Sequence, residues 1–259
     1  MRSAAAHAKI NLALVVGPVR PDGKHEVATV LQRIDLADRI TLEPADEVEI
    51  HGFPEDALVR EGLRALGVTA RVHIEKRIPV GAGLGGGSSD AAAALRLANE
   101  LLPEPLPAPR LHELAADLGA DVPFFLAEGP QLGTGDGTEL SPVALPSDYV
   151  VVLVLPAGQE KASTASVYEA FSGADGFAER RAALYAALET GEIAALPPND
   201  LVSSPFADDL LALGAFRADV SGAGPAVYGL FAEEEAAEAA REAIANRGQT
   251  WLTKPAWYG

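Results

Sequence analysis

Apolar residues in the first part of the chain recur in short runs that are typical of β-strands. Strands are predicted over residues 8–16, 27–36 and 39–42, with residues 47–51 closing a sheet edge. Residues 56–66 instead space their leucines as a helix does, and Gly67 follows as a natural helix end. Residues 70–78 alternate as a further strand. The first eighty residues therefore predict a sheet accompanied by one helix.

The rest of the chain mixes helical and strand-like patterns. Helices are predicted over residues 90–102, 111–118, 178–188 and 233–247. Strands are predicted over residues 149–155, 226–231 and 251–257. Pro142, Pro146 and Ser147 mark a linker, which places a boundary between a lobe of residues 1–147 and a lobe of residues 148–259. The pattern predicts a two-lobed α+β protein.

The strongest local signal lies where the strand of residues 70–78 runs into the helix of residues 90–102. The sequence there, from Pro79, is PVGAGLGGGSSDAAAAL. Its glycines admit positive φ and let backbone amides approach a ligand without a Cβ in the way. Ser88 or Ser89 is expected to cap the following helix. Free amides at the positive end of a helix dipole form an anion site, and phosphate is the usual anion.

A glycine-rich loop of this kind has three other interpretations. A Walker A loop needs a lysine after the glycines, and none follows here, so that interpretation is excluded. Gly81, Gly83 and Gly86 meet the spacing of a dinucleotide fingerprint, but the chain lacks the regular strand and helix alternation of a doubly wound sheet. A turn without a ligand stays open, although so many glycines are entropically costly to order.

The composition narrows the classes of function. The 259 residues carry a net charge of -17, from 37 acidic and 20 basic residues, so the overall field repels nucleic acid and anionic membranes. An anionic substrate therefore needs a locally positive site. The absence of cysteine excludes disulfides, thiolate nucleophiles and cysteine metal sites, and it fits a reducing cytoplasm. The longest apolar run, residues 149–155, is far shorter than the ~20 residues that span a bilayer.

Several separated blocks together resemble one family. AKINL begins at Ala8, the glycine loop follows, GADVP begins at Gly119, and SGAGP begins at Ser221. This order resembles the GHMP kinases, which phosphorylate small alcohols such as galactose, homoserine and mevalonate. The resemblance implies a two-lobed α+β fold, with an N-terminal lobe like ribosomal protein S5 domain 2 and a ferredoxin-like C-terminal lobe. It also implies ATP as the phosphoryl donor and Mg²⁺ as its companion ion.

The resemblance assigns roles to the residues of these blocks. Lys9 and Asp121 would act at the substrate hydroxyl, with Asp121 as the base and Lys9 supporting the charge of the moving phosphoryl group. Ser88 or Ser89 would help to place Mg²⁺. The residues that would hold ATP are Pro79, Gly81, Gly83, Leu84, Gly85, Gly86, Gly87, Ser88 and Ser89. Considered without the family, Lys9 could be a surface lysine and Asp121 a carboxylate that bonds turn amides.

The acceptor implied by the resemblance is a cytidine diphosphate-linked polyol. The residues that would contact it are Asn11, Lys24, His25, Thr164, Tyr168, Gly222 and Gly224. Tyr168 would stack on the cytosine ring. Lys24 stands where the family usually has tyrosine, and it could instead pair with the diphosphate. Ala57 replaces an asparagine that usually contacts adenine, so these two departures bear on substrate choice.

Other functions remain open from the sequence. The chain could phosphorylate another alcohol, such as homoserine or mevalonate, or bind a ligand without catalysis on the same scaffold. A nicotinamide oxidoreductase is the third class. We expect small-molecule substrates, no nucleic acid and no membrane partner, a cytoplasmic location, and a monomer or homodimer.

Overall fold

The computed structural model describes residues 1–158, 163–173 and 175–257. These residues form two compact units, each made of several chain segments. The first unit comprises residues 1–8, 36–80 and 85–128, and the second comprises residues 9–35, 81–84 and 129–259. Strands β1 (Arg2–Val19) and β2 (His25–Pro44) contribute residues to each unit and pair with one another.

The first unit combines short strands with three helices. Its further elements are β3 (Glu49–His51), α1 (Ala57–Leu66), β4 (Ala70–Glu75), α2 (Gly86–Asn99), α3 (Ala108–Leu118) and a 3-10 helix at Pro123–Leu126. β4 pairs antiparallel with the end of β2, in the register Thr41 with His73, and parallel with the edge strand β3. The alanines 91–94 of α2 are buried where α2 packs on α1, α3 and β4, because small side chains permit close approach.

The second unit contains a four-stranded antiparallel sheet. Its further elements are β5 (Gln131–Thr134), β6 (Glu139–Pro142), β7 (Val150–Pro156), α4 (Thr164–Ala170), α5 (Phe177–Thr190), α6 (Pro205–Ala212), β8 (Arg217–Val220), β9 (Val227–Phe231), α7 (Glu234–Ile244) and β10 (Gly248–Thr253). The sheet order is β10-β7-β9-β8, with α6 and α7 packed on the sheet. Numbered within this sheet, the order is 4-1-3-2, which confirms the predicted ferredoxin-like lobe.

The core of this sheet is built from continuous apolar runs. Val150, Val152 and Val154 of β7 pack with Val227 and Phe231 of β9 beneath the helices. The beginning of β2 pairs with β5 in the register Val30 with Leu132, and β5 continues antiparallel into β6. Among the described residues, no helix combines the length and the apolarity needed to cross a bilayer.

Several predicted elements differ from the observed ones. The helix predicted over residues 56–66 is confirmed, because Asp56 caps its start and Gly67 adopts the left-handed conformation at its end. The prediction for α2 is wrong at both ends, since this helix begins at Gly86 and ends at Asn99. The strands predicted over residues 27–36 and 39–42 form the single strand β2, as no turn residue separates them. Helices α4 and α6 and strands β5, β6 and β8 were not predicted.

The bounds of two further strands, β4 and β10, also differ from the prediction. β4 ends at Glu75 and not at residue 78, and β10 covers Gly248–Thr253 and not residues 251–257. The lobe boundary between residues 147 and 148 stays a prediction.

Candidate active site

Lys9 lies inside the second unit and not on its surface. Its side chain is only 4% exposed, so the alternative of a surface lysine is wrong. The Nζ atom donates to Asn11 Oδ1 at 2.5 Å, and Asn11 Nδ2 donates in turn to Thr29 Oγ1 at 2.8 Å. The Thr29 hydroxyl donates to the carbonyl oxygen of Ala13 at 2.8 Å. This chain of hydrogen bonds fixes the ammonium in one position, as buried polar groups require.

Residues 81–84 of the glycine loop are tied to strand β1 and to the turn after β8. The backbone amide of Lys9 donates to the carbonyl of Leu84 at 2.9 Å. The Ser221 hydroxyl donates to the carbonyl of Gly83 at 2.9 Å, and the amide of Ala226 donates to the carbonyl of Ala82 at 3.0 Å. The structure therefore brings Lys9, this part of the loop and the turn of residues 221–226 together.

Gly222 and Gly83 are glycines because nothing larger fits. Gly222 has a φ of 58°, and a Cβ placed on it would lie 3.2 Å from Asn11 Oδ1 and 3.3 Å from Lys9 Nζ. Gly83 has a φ of 81°, and its Cβ would lie 2.2 Å from the carbonyl oxygen of Ser221. Gly222 therefore lets its backbone lie close against the Lys9 ammonium and Asn11, a residue that the resemblance assigns to the acceptor.

The side chain of Asn199 holds the turn of residues 221–226, a role that the sequence did not predict. Its Nδ2 atom donates to the carbonyls of Val220 and Gly222 at 2.9 and 2.7 Å. Its backbone amide donates to Asp219 Oδ2 at 2.8 Å. The side chain thus holds the turn that contains Gly222 from a position 23 residues earlier in the chain.

The first turn of α2 carries the remaining loop residues. Gly85 precedes the helix with a φ of 71° and makes no side-chain cap, so neither Ser88 nor Ser89 is the cap that was predicted. Glycine reaches this left-handed conformation at no steric cost, which lets the helix start earlier than a serine cap would. Gly87 is exposed and Ser88 is half-buried, whereas Ser89 is fully buried. The unpaired amides of this first turn are suited to an anion.

A buried ionic group lies beneath this helix start, and sequence reasoning missed it as well. Lys76 Nζ lies 2.5 Å from Asp38 Oδ2 and 2.8 Å from Asp90 Oδ2. Burial raises the pKa of Asp90 to about 8, against the lowering effect of the Lys76 ammonium. Asp90 Oδ1 and Ser89 Oγ are buried and have no hydrogen-bond partner among the described residues.

Asp121 lies in the first unit, in the turn between α3 and the 3-10 helix. It is half-buried, while Val122, Phe124 and Phe125 after it are almost completely buried. The amide of Val122 donates to the carbonyl of Gly119 at 3.1 Å and closes the turn. These buried residues anchor the turn that carries Asp121.

His25 and Tyr168, two residues that the resemblance assigns to the acceptor, come together in the second unit. Their ring centroids are 5.9 Å apart, and Phe171 meets the edge of His25 at 5.7 Å. His25 Nδ1 is 2.7 Å from the carbonyl oxygen of Gly17, which fixes the ring. Phe171 and Leu201 are among the residues that line a cavity of about 520 Å³. Thr164 is exposed as the first residue of α4.

Lys24 has a partner other than the diphosphate that the sequence suggested. Its Nζ lies 2.5 Å from Asp136 Oδ2. Burial alone would raise the pKa of Asp136, but hydrogen bonds from Lys24 and Thr138 lower it to about 2. The Lys24 ammonium is thus paired with a carboxylate of this chain.

The side chains near the glycine loop can be compared with those that usually hold Mg²⁺, the metal ion that the family resemblance implies. Among the residues that the structure describes, no group of three or more His, Cys, Asp or Glu is arranged to hold a metal ion. Mg²⁺ is commonly held by one or two protein groups together with substrate phosphates. The half-buried hydroxyl of Ser88 fits such a shared ion, whereas the buried hydroxyl of Ser89 fits it less well.

Comparison with known proteins shows the general class of this protein. The family model for the GHMP kinases N terminal domain matches residues 56–129, and the model for the GHMP kinases C terminal matches residues 204–250. A crystal structure of mevalonate kinase superposes with a TM-score of 0.73 at 14% identity, covering 100% of both chains, which shows the shared fold. The two-lobed α+β fold expected from the resemblance is confirmed.

Closer relatives then define the family. The 4-diphosphocytidyl-2-C-methyl-D-erythritol kinase of Chloroherpeton thalassium is 38% identical over 96% of this chain and 95% of its own. The enzyme of the same name from Geobacter sulfurreducens is 38% identical over 95% of each chain. A crystal structure of 4-(cytidine 5'-diphospho)-2C-methyl-D-erythritol kinase superposes with a TM-score of 0.79 at 34% identity, covering 98% of this chain and all of that one. The chain belongs to this family of kinases.

Proposed function

We propose that this protein transfers the γ-phosphoryl group of ATP to the 2-hydroxyl of 4-diphosphocytidyl-2-C-methyl-D-erythritol, in the non-mevalonate route to isoprenoid precursors. The observation that carries this proposal is the placement of Lys9. Its buried ammonium is held by Asn11 and lies close to the backbone of Gly222, and its own amide donates to the carbonyl of Leu84 in the glycine loop. A fixed cation beside a phosphate loop is what phosphoryl transfer needs.

The chemical step divides among the residues of the site. The acceptor oxygen attacks the γ-phosphorus, the bond from that phosphorus to the β-phosphate oxygen breaks, and ADP leaves. The amides of residues 83–88 hold the phosphates, since the Ser89 amide already donates to the carbonyl of Gly85 at 2.9 Å, and Lys9 balances the charge of the moving group. Asp121 orients the hydroxyl and takes its proton. Mg²⁺, when bound with Ser88 and the nucleotide, neutralises phosphate charge.

The acceptor is recognised by the aromatic group of His25, Tyr168 and Phe171. Their tilted and edge-on rings offer a stacking surface for the cytosine of the acceptor. Asn11, Thr164, Gly222 and Gly224 complete this half of the site. Lys24 contributes by exchanging Asp136 for the diphosphate.

An acceptor panel tests the proposal. Release of ADP from Mg-ATP is measured with the diphosphocytidyl alcohol, with homoserine and with mevalonate, while binding of ATP is measured separately by calorimetry without acceptor. We expect turnover with the first alcohol alone. Turnover with another alcohol would show that the proposed acceptor is wrong. ATP binding without turnover of any alcohol would favour a non-catalytic ligand-binding protein.

Replacement of Asp121 tests its role. Asp121→Asn keeps the shape of the side chain but removes the base, so kcat should fall by about 100-fold or more, in line with typical general-base contributions. The dissociation constant of ATP should change by less than about threefold because Asp121 is assigned to the acceptor. Asp117→Asn, an exposed change on the preceding helix, is the control. A mutant with full activity would remove Asp121 from the mechanism.

Cellular context completes the proposal. We place the enzyme in the cytoplasm, since a chain without cysteine suits a reducing compartment and its substrates are small and polar. A monomer or homodimer is compatible with a site assembled from one chain. Fractionation of cells and light scattering of the purified protein measure these two properties.

A further inference from the structure

We propose that Lys76 is a positioning residue for the nucleotide: its ammonium, clamped between Asp38 and Asp90, holds the two ends of the glycine loop in the alignment that binds phosphate. This inference rests on the proposed function, because it assumes that the start of α2 receives the phosphates of ATP. It concerns three buried charged side chains to which the resemblance gave no role.

The three side chains connect the chain before the loop to the chain after it. Asp38, on β2, accepts from the amides of Arg77 and Ile78 through Oδ1 and from Lys76 through Oδ2. Asp38 therefore fixes the segment that leads into Pro79. Lys76 then reaches Asp90, the fifth residue of α2, at 2.8 Å. Both ends of the glycine loop are thus tied to one ammonium.

The ammonium also lies close to the proposed phosphate site. A Cβ placed on Gly86 would be 3.3 Å from Lys76 Nζ and 3.1 Å from a methyl group of Ile78, so glycine is needed where the helix begins. Only 16% of the Lys76 side chain is exposed. The ring of Phe53 covers Nζ at 5.7 Å from its centroid, which adds a cation–π contact.

The charge balance makes the lysine necessary for an anionic ligand. Asp38 and Asp90 are both less than 2% exposed, and Asp90 Oδ1 has no hydrogen-bond partner among the described residues. Without Lys76, the buried Asp38 and Asp90 carboxyl groups would lose their cation, and the negative charge left on them would oppose a phosphate at the helix start. A protein of net charge -17 has little positive field to compensate for that loss.

The experiment separates this role from a general contribution to folding. Lys76→Met removes the cation and leaves both carboxyl groups unpaired. A triple variant that adds Asp38→Asn and Asp90→Asn removes the charge mismatch and keeps oxygens that accept the same amide hydrogen bonds. Lys254→Met, which removes an exposed ammonium paired with Glu234, is the matched control. Each variant is measured for ATP dissociation constant by calorimetry, for acceptor KM at saturating ATP, and for Tm.

We expect the triple variant to recover Tm but to bind ATP at least tenfold more weakly than wild type, with an unchanged acceptor KM. Lys254→Met should match wild type in all three measurements. Wild-type ATP affinity in the triple variant overturns the inference, and so does a parallel loss of ATP affinity, acceptor KM and Tm. A wild-type chain that binds ATP without phosphorylating the acceptor refutes the proposed function alone, because the ATP comparison needs no acceptor.

Discussion

Gly83 offers a direct test of how the glycine loop is held. The residue has a φ of 81°, and a Cβ placed on it would lie 2.2 Å from the carbonyl oxygen of Ser221 and 3.0 Å from that of Gly224. Gly83→Ala therefore combines two costs. The left-handed backbone conformation costs an alanine about 1 kcal/mol, and overpacking against rigid backbone adds about 2 kcal/mol.

The expected loss is about 3 kcal/mol, which lowers Tm by about 6–12 °C in a chain of this size. Gly67→Ala is the matched control, since Gly67 has a φ of 68° and nothing lies within 4 Å of its Cβ position. This control carries the conformational cost alone, so its Tm should fall by about 2–4 °C. Differential scanning calorimetry of both variants measures the difference.

The turn of residues 221–224 should also move in Gly83→Ala, because the clash cannot be relieved by rotating a side chain. Since Gly222 lies against Asn11 and Lys9, we expect kcat to fall at temperatures where the variant is fully folded. Equal Tm values for the two alanine variants would show that Gly83 is not confined by Ser221, and the account of the loop would be wrong.

Two further predictions concern charged side chains. Arg217→Met should lower the free energy of unfolding in urea by about 3 kcal/mol. The reason is that this buried guanidinium donates to the carbonyls of residues 196 and 197 and pairs with Asp219. The control Arg110→Met, at an exposed ion pair, should cost under about 1 kcal/mol. Asp136 has its pKa lowered to about 2, so its ionised form stabilises the fold above its ordinary pKa and that stability is lost as pH falls towards 2. Lys24→Met should raise this pKa towards the ordinary value in a carbon-13 NMR titration, and an unchanged titration would exclude the ion pair.

Short-range sequence signals predicted much of the fold. Asp56 and Gly67 bound α1 as expected, because a helix cap acts through its own backbone neighbours. The continuous apolar run of β7 and the glycine turn before β9 also predicted their elements. The start of α2 was mispredicted because glycines were treated as loop residues, whereas Gly85 turns the chain and Gly86 already belongs to the helix.

Long-range partners explain what the sequence could not predict. Lys76 stands in the polar run EKR and looks like any surface lysine, yet its partners Asp38 and Asp90 are 38 and 14 residues away. Asn199 likewise reaches Gly222 across 23 residues. Lys9 was recognised as a candidate only through the family resemblance, because a lysine on a half-buried strand is more often a surface residue than a catalytic one.

The division of the chain into two units has a consequence for its synthesis. The first unit is complete once residue 128 has left the ribosome, but the second unit joins residues 9–35 to residues 129–259. At about 5–20 residues per second, translation of those last 131 residues takes roughly 7–26 seconds. Until then the strand that carries Lys9 can pair with β2 but lacks its contacts with the later residues, such as the hydrogen bond from the Tyr228 hydroxyl to the carbonyl of Leu12. We expect nascent chains stalled at residue 128 to be bound by chaperones through residues 9–35.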